Sequence, residues 1–273
     1  MILQQKPEVI CIPAFHDNYI WLVRQGSAVL VVDPGAAAPV LAMLAQQSWS
    51  LQAILLTHHH ADHQGGVAEL LAHHPAPVYG PGAESITRLS HPLYGGEVID
   101  FAALAFQLRV IAVPGHTLGH LAYYGFASLF CGDTLFGGGC GRLFEGTPQQ
   151  MANSLAQLAA LPDETAVYCA HEYTAANLRF ALAVEPDNLR LQQRIADLAA
   201  LSSGQQTKSG LARGCSLPSS IALEKQSNPF LRCHLAHVAL AVQRSELAGL
   251  APAEVNDPLA VFAALRRWKD VFK

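Results

Sequence analysis

The sequence is poor in charge, in paired cysteines and in long apolar runs, and each shortage argues against a class of protein. Charged residues make up only 14% of the 273 residues, and the 17 lysines and arginines form no basic run, so we expect no nucleic-acid partner. The six cysteines form no C-x-x-C pair, which suits reduced thiols in a cytoplasmic protein. No apolar run approaches about 18 residues, and no signal-like segment opens the chain, so we expect an unexported protein without a membrane partner.

Apolar residues, in contrast, are plentiful. The residues A, V, I, L, M, F, W, Y and C make up 51% of the chain, which is enough for a sizeable core and unlike a disordered sequence. The length fits one large domain, or one large domain with a smaller one. The net charge of −4 leaves the protein mildly acidic.

Short runs rich in β-formers alternate with helical patterns over the first two thirds of the chain. These patterns predict strands at 19–24, 28–33, 53–57, 107–113, 121–125, 128–131 and 166–170. They predict helices at 37–47, 67–74 and 148–161. After residue 172 we predict helices at 175–184, 188–201 and 258–268, a long surface loop at 202–220, and no strands. We therefore divide the chain into residues 1–172 and residues 173–273.

Histidine is the unusual residue, with 13 in the chain and four of them between positions 58 and 63. Residues 57–63 read Thr-His-His-His-Ala-Asp-His and directly follow a predicted buried strand. In an extended segment alternate side chains share a face, so His58 and His60 can bind one ion while Asp62 and His63 turn towards another. We expect His59 to point away from the ions. The spacing predicts a site for two metal ions.

Two ions need more ligands than this segment supplies, since zinc takes about four each and a catalytic site keeps one position for water. Three further candidates follow later predicted strands beside glycine or turn residues: His116, Asp133 and His171. Taken singly, each is more often an ordinary polar residue at a strand end, and a histidine tract alone can be a metal buffer. The full set of five histidines and two carboxylates is what predicts the site.

The motifs resemble those of the metallo-β-lactamase superfamily. The H-x-H-x-D-H pattern points only to the superfamily, whereas residues 138–147, the His-Glu-Tyr-Thr at 171–174 and the last helix resemble bacterial glyoxalase II, the hydroxyacylglutathione hydrolases. The resemblance covers nearly the whole chain. It implies an α+β fold in which residues 1–172 form an αβ/βα sandwich, two mixed β-sheets flanked by helices. Residues 173–273 would form a mainly helical domain that binds the glutathione thioester.

The resemblance also implies roles for individual residues. His58, His60 and His116 would hold one metal and Asp62, His63 and His171 the other, with Asp133 bridging them. Glutathione would contact Arg142, Tyr173, Arg266 and Lys269. Residues three apart share a helix face, so Arg266 and Lys269 can reach one anionic ligand together. From the residues alone, the alternative is that these two only solvate the outer face of the helix.

The implied activity is hydrolysis of S-(2-hydroxyacyl)glutathione, chiefly S-D-lactoylglutathione to D-lactate and glutathione, the second step of methylglyoxal detoxification. We expect two divalent ions per chain, best suited to zinc with iron or manganese as alternatives, and a metal-bridging hydroxide that attacks the thioester. A protein nucleophile is then unnecessary, which agrees with the lack of a G-x-S-x-G elbow. We expect the enzyme to be a monomer acting on a small-molecule substrate.

Two alternatives stay open at this point. A glutathione-persulfide dioxygenase of the same superfamily would use a single iron with three ligands, whereas all seven ligand positions are filled here. A zinc-binding module without catalysis is a different class of protein. Such a module would not need ligands dispersed from residue 58 to residue 171, at the ends of separate strands.

Overall fold

The computed structural model describes residues 6–86, 88–202 and 215–272. Over these residues the strands are β1 Glu8–Ala14, β2 Asn18–Gln25, β3 Ala28–Val32, β4 Ser50–Leu55, β5 Val78–Pro81, β6 His91–Leu93, β7 Val98–Phe101, β8 Phe106–Ala112, β9 Leu121–Gly125, β10 Ser128–Gly132, β11 Leu135–Phe136, β12 Gly139–Cys140, β13 Ala166–Cys169 and β14 Ser219–Ser220. The α-helices are α1 Ala38–Gln47, α2 Ala61–Gln64, α3 Val67–His73, α4 Pro148–Ala159, α5 Thr174–Val184, α6 Leu189–Ser202, α7 Ile221–Ser227, α8 Ala236–Arg244 and α9 Pro258–Val271.

Two six-stranded mixed sheets form the centre of the molecule. The first has the strand order β1-β2-β3-β4-β5-β6 and the second β14-β13-β10-β9-β8-β7. The first sheet is antiparallel from β1 to β3 and parallel from β3 to β6. In the second sheet only β10 and β13 run parallel. Two mixed sheets flanked by helices confirm the predicted fold class.

The strand sequences explain the layers, because successive side chains on a strand point to opposite faces. On β2, Trp21 and Val23 lie in the core between the sheets, together with Tyr123 and Phe130 of the second sheet. Leu22, which lies between Trp21 and Val23 on the strand, belongs to a second core that includes residues of α1 and α3. The strand is apolar on both faces since both faces are covered.

Most helix and strand predictions agree closely with the structure. The largest differences at the ends are in β4, which begins at Ser50 rather than at residue 53, and in α9, which ends at Val271 rather than at residue 268. Helix α4 begins with a capping box, in which the side chains of Thr147 and Gln150 each bond the other's backbone N–H. The sequence patterns did not predict strands β1, β5, β6, β7, β11 and β12 or helices α2, α7 and α8. None of the described helices is long and apolar enough to cross a bilayer.

The prediction of a surface loop at 202–220 is wrong for its last part. Cys215, Leu217 and Ser219 are buried, and β14 pairs antiparallel with β13 at the edge of the second sheet. The prediction that no strands follow residue 172 is therefore also wrong. A strand of two residues is too short to show an alternating pattern, and its pairing depends on the partner strand. Residues 203–214 of the predicted loop lie outside the described residues.

Candidate metal centre and adjoining cavity

The predicted ligands lie on loops and helix starts that immediately follow strands. The segment 57–63 follows β4 and runs into α2, His116 lies between β8 and β9, Asp133 follows β10, and His171 follows β13. Although distant in sequence, the seven residues converge into groups whose nitrogen or oxygen atoms lie within 4.8 Å of one another. His58, His60 and His116 form one group, here called the first triad. Asp62, His63 and His171 form another, the second triad.

The first triad presents three imidazole nitrogens to one point. Nε2 of His58 lies 2.9 Å from Nδ1 of His60, and Nε2 of His116 lies 3.1 Å from the same Nδ1. Burial lowers the pKa of all three rings, that of His58 well below its usual value, so the neutral forms are favoured. Each ring then has one protonated nitrogen and one lone pair.

Hydrogen bonds on the far side of two of these rings decide where the lone pairs are. The Thr57 hydroxyl donates to Oδ2 of Asp33 at 2.7 Å, so it accepts from Nδ1 of His58 at 3.1 Å. Nδ1 of His116 donates to the backbone oxygen of Arg142 at 2.9 Å. Both Nε2 atoms therefore carry lone pairs, and a single hydrogen on the third histidine can satisfy only one of them. A cation among the three nitrogens satisfies all of them.

The second triad combines two histidines with a carboxylate. Nδ1 of His63 donates to Oδ2 of Asp33 at 3.0 Å, and Nδ1 of His171 donates to Oδ1 of Asp17 at 2.9 Å. Their Nε2 atoms each lie 3.5 Å from Oδ2 of Asp62. Each Nε2 thus faces a carboxylate oxygen, an arrangement that needs a positive charge, either a proton on the ring or a cation bound between the two atoms. Nε2 of His63 is buried and has no hydrogen-bond partner among the described residues.

Asp133 lies between the two triads. Its Oδ2 is 3.4 Å from Nε2 of both His116 and His171, and its Oδ1 is 3.6 Å from Nε2 of His63. That Oδ1 is buried without a hydrogen-bond partner in the described part of the chain. The backbone N–H of Asp133 donates to Nε2 of the buried His120 at 3.2 Å, which fixes the strand end from which the carboxylate projects. One carboxylate therefore reaches both triads.

The electrostatics of the centre favour a positive charge beside the carboxylates. Burial alone would lower the pKa of His63, but Asp133 and Asp33 raise it to about 9. Burial likewise opposes ionisation of Asp133, yet the charges of His63 and His171 hold its pKa well below the usual range. Imidazole and carboxylate ligands suit divalent zinc, iron and manganese. The unpartnered buried atoms, the fixed lone pairs and the clustered carboxylates fit a site for two metal ions.

A cavity of about 460 Å³ opens beside this centre and includes His116 and Asp133 in its wall. The four residues predicted to contact glutathione also line it: Arg142, Tyr173, Arg266 and Lys269. The Tyr173 ring stacks on His171, with ring centroids 4.8 Å apart and planes 4° apart. Burial is the main cause that raises the pKa of Tyr173 to about 12, and the negative charge of nearby aspartates is a smaller one. Its hydroxyl therefore remains a hydrogen-bond donor at neutral pH.

The basic residues of the cavity differ in whether their charged groups already have partners within the protein. Arg266 is buried and donates to the backbone oxygen of Cys140 and to Oδ1 of Asp270, each at 2.9 Å, so it fastens α9 to β12. Arg142 is mostly exposed, with its Nε 3.8 Å from the same Asp270 oxygen. Burial and the surrounding arginines lower the pKa of Lys269, whose Nζ lies over the Phe180 ring. Arg142 and Lys269 are thus better placed than Arg266 to meet an anion.

Buried groups from the C-terminal helices hold the glycine-rich segment between Asp133 and Arg142. The backbone N–H of Gly138 donates to Oε2 of Glu224 at 2.8 Å, and the Asn228 amide donates to the backbone oxygen of Gly139 at 2.9 Å. Glu224 is completely buried and paired with Arg194, at 2.6 Å. Gly138 has φ +70°, a conformation that favours glycine. This network shapes one wall of the cavity.

Sequence reasoning missed several residues that orient the predicted ligands. Asp17, which bonds Nδ1 of His171, was not singled out. Asp33, which bonds Nδ1 of His63, was not assigned a role either. Asn18, whose amide donates to Oδ2 of Asp62 at 2.9 Å, could have been suspected only from its place beside Asp17. Glu84, which contacts the backbone and ring of His59, carries no recognisable sequence signal.

Comparisons with known proteins match both parts of the chain. Residues 14–171 match the family described as the metallo-beta-lactamase superfamily, and residues 172–272 match the family described as hydroxyacylglutathione hydrolase C-terminus. A hydroxyacylglutathione hydrolase of Dechloromonas aromatica (strain RCB) is 56% identical over 273 residues, covering 97% of this chain and 99% of that protein.

Solved structures show the same architecture at lower identity. A metallo-beta-lactamase from Staphylococcus aureus subsp. aureus COL has a TM-score of 0.62 at 17% identity, covering 93% of this chain and 72% of that chain. A crystal structure of a protein in a di-iron-bound form has a TM-score of 0.56 at 25% identity, covering 82% of this chain and all of that chain. The first likeness shows the fold alone.

Proposed function

The chain belongs to the hydroxyacylglutathione hydrolases of the metallo-β-lactamase superfamily, and from this membership we propose its substrate and the roles of its residues. It hydrolyses S-(2-hydroxyacyl)glutathione thioesters, chiefly S-D-lactoylglutathione, to glutathione and a 2-hydroxy acid. This reaction is the second step of methylglyoxal detoxification. One observation supports the proposal above all others: His116 and Asp133 of the metal centre line the same cavity as Arg142 and Lys269.

In this proposal the first triad holds one divalent ion, the second triad holds the other, and Asp133 contacts both. Two divalent ions bound there supply a Lewis acid for the thioester carbonyl and a hydroxide at neutral pH. Zinc suits the histidine-rich ligand set best, and iron or manganese are the alternatives. The hydrogen bonds that hold Nδ1 of His58, His63, His116 and His171, and so turn each Nε2 towards its triad, support this assignment.

The remaining residues bind and orient the thioester. Arg142 and Lys269 offer positive charge to the carboxylates of the glutathione part, and the Tyr173 hydroxyl offers a hydrogen bond beside the second triad. Arg266 supports this surface by fastening α9 to β12. The leaving thiol has a reference pKa of about 8.5, so it departs as thiolate with little help from a general acid.

The alternative functions fit the molecule less well. A dioxygenase with one iron and three ligands would not need the second triad, whose two histidines are each oriented by a carboxylate. A module that only stores zinc would not need a cavity lined by cations beside its metal site. Both features are accounted for by hydrolysis of an anionic thioester.

The test is turnover of S-D-lactoylglutathione by the metal-loaded protein, run beside Lys269→Ala and a matched control, Arg244→Ala. We expect Lys269→Ala to raise KM about 10-fold with little change in kcat, since it removes a charged contact to the substrate and none at the reacting carbon. Arg244 is exposed at the end of α8 and does not line this cavity, so its variant should behave like wild type. Absence of turnover by a folded, metal-loaded wild type would contradict the proposal.

We also propose that the protein is a cytoplasmic monomer that acts on a small molecule and has no nucleic-acid partner. All six cysteines are buried and none is in a disulfide, which suits the reducing cytosol where glutathione is abundant. Light scattering at micromolar concentration tests the oligomeric state. A mass near twice 29.2 kDa would contradict the monomer.

A further inference from the structure

A buried carboxylate outside the metal centre joins the two loops that supply the first triad. Oε2 of Glu84 accepts the backbone N–H of His59 at 2.7 Å and its ring Nδ1–H at 3.0 Å. Oε1 accepts the backbone N–H of Gly119 at 3.0 Å and the hydroxyl of Thr117. His59 lies between two residues of the triad, and Thr117 directly follows the third. Glu84 itself follows β5 and belongs to neither loop.

The surroundings of Glu84 are adapted to this position. Its side chain is only 4% exposed, and both oxygens accept two hydrogen bonds, so the buried charge is fully compensated. A Cβ on Gly119 would lie 2.5 Å from Cγ of Glu84. Glycine at this point therefore lets the carboxylate approach the loop closely enough to bond its backbone.

Glu145 provides a contrast within the same region. Its Oε1 lies 3.4 Å from Nε2 of His59, and its Oε2 accepts the backbone N–H of Leu118 at 2.9 Å, so it touches the same two loops. Its side chain is 36% exposed, which weakens such contacts through hydration. Together with His59 and Glu84 it forms a group that could in principle hold a metal. Glu84 already accepts four hydrogen bonds, and His59 donates from Nδ1, which leaves few lone pairs for an ion.

We propose that Glu84 is a positioning residue for the metal centre: it fixes the His58–His60 loop against the His116 loop and so presets the first triad for its ion. The proposal rests on the assignment of a divalent ion to that triad. The two loops also meet through the triad itself, the exposed Glu145, the His120 ring stacked on His58 and the Leu121 N–H donated to the Thr57 backbone oxygen, but Glu84 is the buried carboxylate that bonds the backbone of both. Removing the Glu84 carboxylate should therefore loosen the first triad more than the second, whose residues contact Asp17, Asn18 and Asp33.

The experiment compares Glu84→Gln with Glu145→Gln, each loaded with zinc and challenged with a competing chelator in the absence of substrate. A glutamine has one acceptor oxygen, and its amide must face either the two His59 donors or the Thr117 and Gly119 donors. We expect zinc affinity at one site per chain to fall about 10- to 100-fold, the usual effect of changing a group that orients metal ligands. Glu145→Gln should stay within about twofold of wild type. Anomalous diffraction at the zinc edge then identifies the depleted site as the first triad.

The outcomes separate this proposal from the proposed function. If Glu84→Gln folds and retains both ions with wild-type affinity, or loses the second-triad ion instead, Glu84 does not position the first triad. If Glu84→Gln fails to fold, Gly119→Ala replaces it, because the added Cβ displaces the carboxylate without removing its charge. Wild-type affinity at both sites of Gly119→Ala would then overturn the proposal. A wild type that binds two ions but turns over no thioester contradicts the function and leaves the role of Glu84 standing.

Discussion

The two triads of the metal centre differ in how their histidines are held. In the first triad the ring hydrogens of His58 and His116 are donated to neutral groups, the Thr57 hydroxyl and the backbone oxygen of Arg142. In the second, both ring hydrogens are donated to carboxylates, Asp33 and Asp17. The second triad also contains a carboxylate of its own, whereas the first contains only imidazoles.

The difference shows how one cleft can provide two distinct metal environments. The first triad relies on three nitrogen lone pairs aimed at a point, and burial favours the neutral rings. The second relies on accumulated negative charge, which raises the pKa of His63 to about 9. A divalent ion at the second position therefore neutralises buried charge, while one at the first mainly completes the bonding of nitrogen. Asp133 reaches both and couples them.

The largest effect is expected from Asp133→Ala, which removes the residue that the triads share. Loss of a ligand should cost more than the about 10- to 100-fold that follows from changing an orienting group, so we expect kcat to fall by more than about 100-fold. Bound metal should fall from two ions per chain towards one. Kinetics with S-D-lactoylglutathione and metal analysis after gel filtration measure the two quantities.

Asp163→Ala, which removes an exposed carboxylate, is the control. Full metal content with normal kcat would show that Asp133 does not join the triads.

A smaller and more selective effect is expected from Asp17→Asn. The amide oxygen can still accept the hydrogen from His171, so the change removes the charge and keeps the bond. We expect the second triad to lose about 10-fold in metal affinity and the first to be unaffected. Chelator competition gives the affinities, and anomalous diffraction gives the position of the weakened ion. Equal weakening of both ions would show that the charge of Asp17 does not act selectively on the second triad.

The converse change is Thr57→Val, which acts on the first triad. It removes the acceptor for Nδ1 of His58 and leaves one oxygen of Asp33 with one donor fewer, while the shape of the side chain is kept. We expect about a 10-fold loss of metal affinity, largely at the first triad. Thr57→Ser keeps the hydroxyl and should remain within about threefold of wild type, measured by the same chelator competition. If serine proves as harmful as valine, packing rather than the hydroxyl holds His58.

The smallest effect concerns which metal occupies which position. Imidazole ligands suit zinc, whereas carboxylate ligands suit manganese better. With both ions supplied in equal amounts, we expect a few-fold enrichment of zinc at the first triad and of manganese at the second. Anomalous diffraction at the two absorption edges measures the occupancies. An even distribution would mean that the carboxylates around His63 do not influence metal choice.

The sequence predicts the parts of this arrangement that are local. The run 57–63 shows both its ligand spacing and its position at a strand end, and the capping box of α4 lies within four residues. The orienting partners lie far away along the chain: Asp17 meets His171 and Asp33 meets His63 only because the strands bring them together. No spacing rule connects such pairs.

Other features escaped prediction for different reasons. Glu84 follows a four-residue strand in a stretch without periodicity, and its partners are mostly backbone N–H groups, which every residue has. Arg266 was expected to bind glutathione and does line the cavity, but its hydrogen bonds to Cys140 and Asp270 depend on how α9 packs. The residue types near the cavity were predictable. The sequence could not predict which of these charged side chains stay free for a ligand, because hydrogen bonds within the protein compete for them.

The contact between Gly138 and Glu224 bears on the order in which the enzyme is assembled on the ribosome. All seven candidate ligands lie between residues 58 and 171, so they leave the exit tunnel before Glu224, Arg266 and Lys269. A nascent chain can thus gather its metal ligands while Gly138 still lacks its carboxylate acceptor and the cavity lacks α9. Under the roles proposed for these residues, metal capture can precede completion of the cavity during synthesis, whereas substrate binding must wait for the last helix.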